Sequence, residues 1–436
     1  MPSPARSLDH PEARQLVAGR GFDRGPGAPH PGRHVGVELE WLAVCLDDPS
    51  RPAPFEAARA AAHNVDPLPG GGRVTFEPGG QVELSSPPLP LRLACDALAR
   101  DASRLGEAMA TLGVGLVASG LEPGHPRERA VRSARYDAME AYFDAAGPSG
   151  RRMMRSTAAT QINLDLGRGP EIDRRWRAAH AIGPMLAAAF ANSPIGEHGP
   201  TGLRAARLAV WSDIDQCRTA AATPNGSDGR ETWVDYALDA HVMLVRSSTD
   251  QHQAVLEPLT FAEWIDRGHE LGWPTSEDLE YHLTTLFPPV RARGWIELRM
   301  VDAVPAPWWR VATAVASVLV QDPELETLVV EVALPTQDRW HQAARDALTD
   351  PLLGPAAIEC FTAAHDVMKR SGTNLDAPDA ITLESVAEYL DRYVRRGRCP
   401  ADDRLDAWQA RGAALPAPDN QPRRPRAEPR TEATWR

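Results

Sequence analysis

Residues 35–44 read V-G-V-E-L-E-W-L-A-V. In a β-strand, residues two apart share a face. Val35, Val37, Leu39 and Trp41 then point one way, and Glu38 and Glu40 the other. Three later stretches repeat the design. Gln81–Ser85 sets Gln81, Glu83 and Ser85 against Val82 and Leu84. Thr160–Leu166 sets Gln161, Asn163 and Asp165 against Ile162, Leu164 and Leu166. Trp295–Met300 sets Glu297 and Arg299 against Ile296, Leu298 and Met300.

Taken singly, each stretch is an ordinary half-buried strand of an antiparallel sheet, with one solvated face. As a set they ask for more. Glu and Asp have poor strand propensity, and gathered carboxylates repel one another and need cations. Oxygen-only ligands suit Mg²⁺ or Mn²⁺ and not Zn²⁺. Mg²⁺ takes one or two carboxylates and leaves its other positions to water and phosphate. Glu38, Glu40, Glu83 and Glu297 therefore point to metal ions shared with a nucleotide. The segment F-E-P-G-G-Q-V-E (76–83) reads as a tight hairpin, with Pro78 presetting φ and Gly79 or Gly80 free to take φ > 0. Glu77, at that turn, is either a site carboxylate or part of a plain hairpin.

Helical spacing marks Arg92–Leu112, Glu171–Asn192, Pro307–Gln321 and Ile381–Arg396, with Thr382, Ser385 and Glu388 as capping candidates. The last third, from Pro305, reads as mainly helical. Residues 1–33 are rich in Pro, Gly and Arg and read as a mobile arm, save for a short helix at Pro11–Ala18. Residues 34–415 read as one body without a linker, and 416–436, rich in proline and arginine, as a disordered tail.

The chain has 436 residues and a net charge of −12, which argues against a general nucleic-acid or anionic-membrane binder. Lys369 is its one lysine, so a Walker-type loop is excluded and arginine is left to recognise anions. There is no H-E-x-x-H, no G-x-S-x-G and no G-x-G-x-x-G after a strand. Five cysteines without C-x-x-C spacing, and an N-terminus without an apolar core, lead us to expect reduced thiols in a cytoplasm. The longest apolar run, Val311–Val320, is about half a membrane span.

The motifs G-V-E-L-E-W (36–41), E-P-G-G-Q-V-E-L-S (77–85), S-T-A-A-T-Q-I-N-L-D (156–165), F-A-N-S-P (190–194), W-V-D-Y-A-L-D (233–239) and I-E-L-R (296–299) resemble, in order, the glutamate–cysteine ligases of the plant and proteobacterial type. The resemblance is strongest to the actinobacterial members that open ergothioneine biosynthesis. It implies an α+β fold similar to glutamine synthetase: a curved antiparallel sheet around the site, with helices on its outer face. It also implies ATP- and Mg²⁺-dependent joining of L-glutamate to L-cysteine through a γ-glutamyl phosphate. Glu38, Glu40, Glu83 and Glu297 would hold metal, and Arg299 would meet the γ-phosphate. Arg207, four residues before Trp211, would hold the α-carboxylate of glutamate. Arg218 is a secondary substrate candidate, and Gln161, Asn163 and Trp211 would line the site. Ala205-Ala206 departs from the more polar plant pattern, and the plant regulatory disulfides have no counterpart. Two alternatives stand beside this reading: another carboxylate–amine ligase of the same fold, or a catalytically silent ATP- or amino-acid-binding relative. The oligomeric state, monomer included, is left open.

Overall fold

The computed structural model describes residues 7–23, 32–124, 127–224, 228–248, 251–372, 374–412 and 414–421. Its strands are β1 (His34–Cys45), β2 (Arg73–Phe76), β3 (Val82–Ser85), β4 (Leu89–Pro90), β5 (Val114–Val117) and β6 (Thr160–Leu164), followed by β7 (Ile195–Gly196), β8 (Gly199–Pro200), β9 (Leu244–Ser248), β10 (Gln251–Ala254), β11 (Val290–Ala292) and β12 (Ile296–Leu298). The main sheet is antiparallel, in the order β11-β12-β6-β1-β3-β2, with β4 and β5 pairing opposite ends of the long strand β1. All four alternating stretches thus lie in one sheet, β12-β6-β1-β3, although their order in the chain is different.

Val37, Leu39, Leu84, Ile162 and Leu298 are buried on one face. Against that face pack the helices Leu91–Thr111, Pro170–Ala189 and Trp308–Gln321. Each carries an apolar stripe at helical spacing, which a helix must bury to be stable. These helices start and end within a few residues of the spans read from the sequence. The helix Ala380–Arg392 is capped by Asp379, which accepts from the Thr382 N–H at 2.6 Å, and not by Thr382 or its neighbours.

Both chain ends make contact with the body. Residues expected in a mobile arm form the helix His10–Phe22. Asp9 and Glu12 close a capping box at its start, and Ala13, Val17 and Phe22 are buried against neighbouring helices. The short helix expected at Pro11–Ala18 is thus longer, and Pro11 sits in its first turn, where it costs nothing. Residues 416–421, expected in a disordered tail, dock on the body. Asp419 donates its N–H to the Leu116 carbonyl and accepts from the Trp41 indole at 3.1 Å, while Asn420 bonds the backbone of Gly106, Val114 and Leu116. Residues 24–31 and 422–436 lie outside the described part.

Candidate functional site

The polar face of the sheet forms the floor of a cavity of about 350 Å³. Sheet register brings the carboxylates together. Glu40 pairs directly with Glu83, Glu38 with Gln161, and Glu297 with Asn163. Like charges directly opposite on two strands destabilise a sheet, so this floor has a purpose other than stability. The 76–83 hairpin delivers Glu77 to the same cavity. There the Gly80 N–H meets the Glu77 carbonyl at 2.8 Å with φ +82°. At Gly79 a Cβ would stand 2.1 Å from the Arg155 carbonyl oxygen, so only glycine fits.

The carboxylates fall into two electrostatic classes. Burial, then the charges of Glu297 and Glu83, pushes Glu38 up to about 7. Burial and Glu83 do the same to Glu40, although Glu40 accepts from the Ala159 N–H and from Gln161 Nε2 at 2.8 and 2.7 Å. Burial, Glu40 and Glu83 raise Glu77 well above the usual carboxylate range. Burial opposes ionisation of Glu297 too, yet Arg291 and Arg299 hold it down at about 2. Arg291 grips it bidentately, with Arg299 at 3.2 Å and Arg293 at 3.4 Å.

The arginines separate as clearly. Arg299 donates to Gln161 Oε1 at 2.7 Å and lies against Trp211 and Phe287. Arg207 is 4% exposed and lines the cavity. One of its terminal nitrogens donates to the Arg299 carbonyl at 2.9 Å, and Asp302 stands 3.9 Å away. Its Nε is buried without a partner, and so is Nε1 of Trp211, whose ring lies 5.9 Å from the Arg207 guanidinium. Both orphan donors belong to residues that line the cavity, and buried donors are otherwise satisfied.

Arg218, a substrate candidate in the sequence, stands apart from this cavity: it is fully buried and does not line it. It donates to Asp215, Thr285, Tyr142 and the His241 carbonyl. Asp215, Cys217 and His241 are, among the described residues, the one trio of potential metal-ligand atoms within 4.8 Å of one another. Asp215 already serves Arg218, Tyr142 and the Cys217 N–H, so that trio is a completed ion-pair knot. No three cavity glutamates converge so tightly. Such spacing matches an ion that takes one or two carboxylates and completes its shell with water and phosphate.

Asn163 lines an adjoining cavity instead, donating to Glu38 at 3.1 Å and accepting from Trp295 at 2.9 Å. The opposite wall of the site was not legible in the sequence. Met139, Met153 and Met154 belong to a second hydrophobic cluster, apart from the main core, with Tyr136, Trp211 and Phe287 packed on it. Arg291 was missed as well. It pairs across a β-hairpin with Glu297, a register that the turn at Gly294 (φ +79°) would have signalled had the strand been extended upstream.

The sequence matches the family described as glutamate–cysteine ligase family 2 over residues 34–428. It is 40% identical over 386 residues to "Glutamate--cysteine ligase EgtA" of Mycolicibacterium smegmatis, covering 87% of this chain and 88% of that one. It is 30% identical over 361 residues to "Glutamate--cysteine ligase, chloroplastic" of Arabidopsis thaliana, covering 77% and 66%. Among solved structures it aligns with a complex of the prokaryotic ubiquitin-like protein Pup and its ligase PafA, with a TM-score of 0.41, 11% identity and coverage of 87% and 69%.

Proposed function

The chain belongs to glutamate–cysteine ligase family 2, and from that premise we propose that it joins the γ-carboxylate of L-glutamate to the amine of L-cysteine at the expense of ATP, supplying γ-glutamylcysteine for ergothioneine biosynthesis. One observation carries the assignment of the site: a single cavity gathers three carboxylates with raised pKa and five arginines, one of which, Arg207, has an Nε without a partner.

The residues fit divalent metal. Their donors are all oxygens, and bound cations would relieve the burial and the carboxylate repulsion that raise Glu38, Glu40 and Glu77. Glu38, Glu40, Glu83 and Glu297 would hold Mg²⁺ or Mn²⁺, with Glu77 as a further carboxylate. Bound metal would neutralise the ATP phosphates, whose charge repels an attacking carboxylate.

The chain's own groups do the rest. Arg207 and the Trp211 N–H hold the α-carboxylate of glutamate, leaving its γ-carboxylate facing the metal floor. Arg299, held by Gln161 and Glu297, meets the γ-phosphoryl group and offsets the charge that gathers on it. Arg291 acts through Glu297, fixing that carboxylate ionised and oriented. The γ-carboxylate attacks the γ-phosphorus of ATP and ADP leaves; cysteine's amine then attacks the resulting acyl phosphate, forming the amide and releasing phosphate and a proton. The methionine and aromatic wall keeps out water, which would hydrolyse the intermediate.

ADP release with ATP, Mg²⁺ and glutamate should rise strongly on adding cysteine, stay near background with ammonia, and respond weakly to 2-aminobutyrate. An apolar pocket separates a thiol from a methyl by only about 1–3 kcal/mol. Ammonia-driven turnover without a response to cysteine would leave an ATP-dependent ligase with a different acceptor.

A further inference from the structure

A second cavity, of about 840 Å³, adjoins the catalytic one and shares Glu38 and Arg293 with it. Its one side is the N-terminal helix His10–Phe22, through Leu16, Gly19 and Arg20, and its other side carries Asn163 and Trp295. Trp295 is the unusual member. A large aromatic ring is normally covered, yet this one is 38% exposed. It is nonetheless pinned: its indole N–H donates to Asn163 at 2.9 Å, and the Arg293 guanidinium lies 5.1 Å from its ring centroid. Asn163 donates in turn to Glu38. A fixed, solvent-facing indole, one hydrogen-bonded residue away from a metal-floor carboxylate, offers a flat surface to a planar group.

We propose that Trp295 stacks the purine base of the nucleotide, and that the N-terminal helix closes the base pocket from the other side. This rests on the ligase reading above, in which Glu38 is one of the carboxylates that would hold the metal of the nucleotide, and Glu38 also lines the adjoining cavity. The helix is held for that task. Arg20 pairs with Glu280 across the cavity's edge, and Phe22 meets Trp176 edge-on at 5.2 Å. Gly19 leaves the helix surface open, since a Cβ there would meet only a carboxylate oxygen of Asp23 at 3.7 Å. A side chain could therefore be built into the pocket without disturbing the helix.

The test compares the wild-type chain with Trp295→Ala, Trp295→Phe and Gly19→Phe. KM values for ATP, CTP and glutamate are measured, with ADP binding in Mg²⁺ followed by calorimetry. Trp295→Ala should raise KM for ATP and Kd for ADP about tenfold, the range of base–aromatic stacking. It should narrow the preference for ATP over CTP and leave KM for glutamate within about twofold. Trp295→Phe keeps a ring face but loses the bond to Asn163, so recovery of ATP affinity there isolates stacking from positioning. Gly19→Phe should raise KM for ATP alone. Wild-type turnover with an unchanged ATP KM in Trp295→Ala and Gly19→Phe would overturn this inference and spare the ligase. A wild-type chain that neither binds ADP nor consumes ATP would remove the ligase reading and this one with it.

Discussion

Arg207 and Arg218 are both buried, and both are plausible anion-binding residues in the sequence. Their surroundings differ in one respect. Arg218 is complete: Asp215 balances its charge, and Thr285, Tyr142 and the His241 carbonyl use its remaining donors. Arg207 is not. Its Nε has no partner, and the nearest carboxylate oxygen, Asp302 Oδ1 at 3.9 Å, is unpartnered too, while Oδ2 accepts from Asn192 and Ser193. The glutamates repeat the contrast, since Glu297 is matched by arginines while Glu38, Glu40 and Glu77 crowd one another. A buried charge that folding has already satisfied serves the fold. One left unsatisfied is costly unless a ligand completes it.

Four measurements can break or sharpen that contrast. The largest effect should come from Glu40→Gln, with turnover about 10³-fold lower, the scale of removing one group that stabilises developing charge. Its melting temperature should hold or rise, because a repelled carboxylate is gone. A parallel collapse of stability would place Glu40 with the completed groups. Glu297→Gln is a poorer probe, since it strands the buried Arg291.

Next is Arg218→Ala, which leaves Asp215 without its cation and should cost about 3–5 kcal/mol in denaturant unfolding. The protein that remains folded should keep its KM for glutamate; a raised KM would return Arg218 to the site. Arg207→Lys should do the reverse, raising KM for glutamate about tenfold through loss of the bidentate fork while hardly moving stability.

The smallest effect concerns pH and metal. Glu38 and Glu40 have folded pKa values of about 7 against 4.5 for the free side chain. The folded state binds more protons than the unfolded one, so the stability they lend is full below pH 4.5 and is lost as pH rises to about 7. The metal-free protein should melt a few degrees lower at pH 7.5 than at pH 5, and Mg²⁺ should restore more at the higher pH. Equal Mg²⁺ stabilisation at both would mean that these carboxylates do not meet the ion.

Much of the site was legible because strand periodicity is local. Glu38, Glu40, Glu83 and Glu297 declared a shared polar face through alternation alone, and Gln161 and Arg299 followed from the same rule. Arg218 could not be told from Arg207, because what separates them is partners from Thr285 and His241, distant in the chain. Tyr136 and the three methionines carry no motif; they became a wall when two helices folded over the sheet.

The chain ends divide in the same way. Periodicity showed a short helix near one end, but composition spoke for mobile termini around it, while a capping box and three buried side chains dock that end and two polar side chains dock the other. By itself, then, the sequence determined the antiparallel sheet, its apolar and acidic faces and the chemistry that face suits, because backbone geometry imposes a period of two on any strand. Tertiary structure decided which buried charges stay unsatisfied, how the carboxylates register across strands, and which helices wall the two cavities. Those depend on contacts between residues far apart in the chain, where no local period applies.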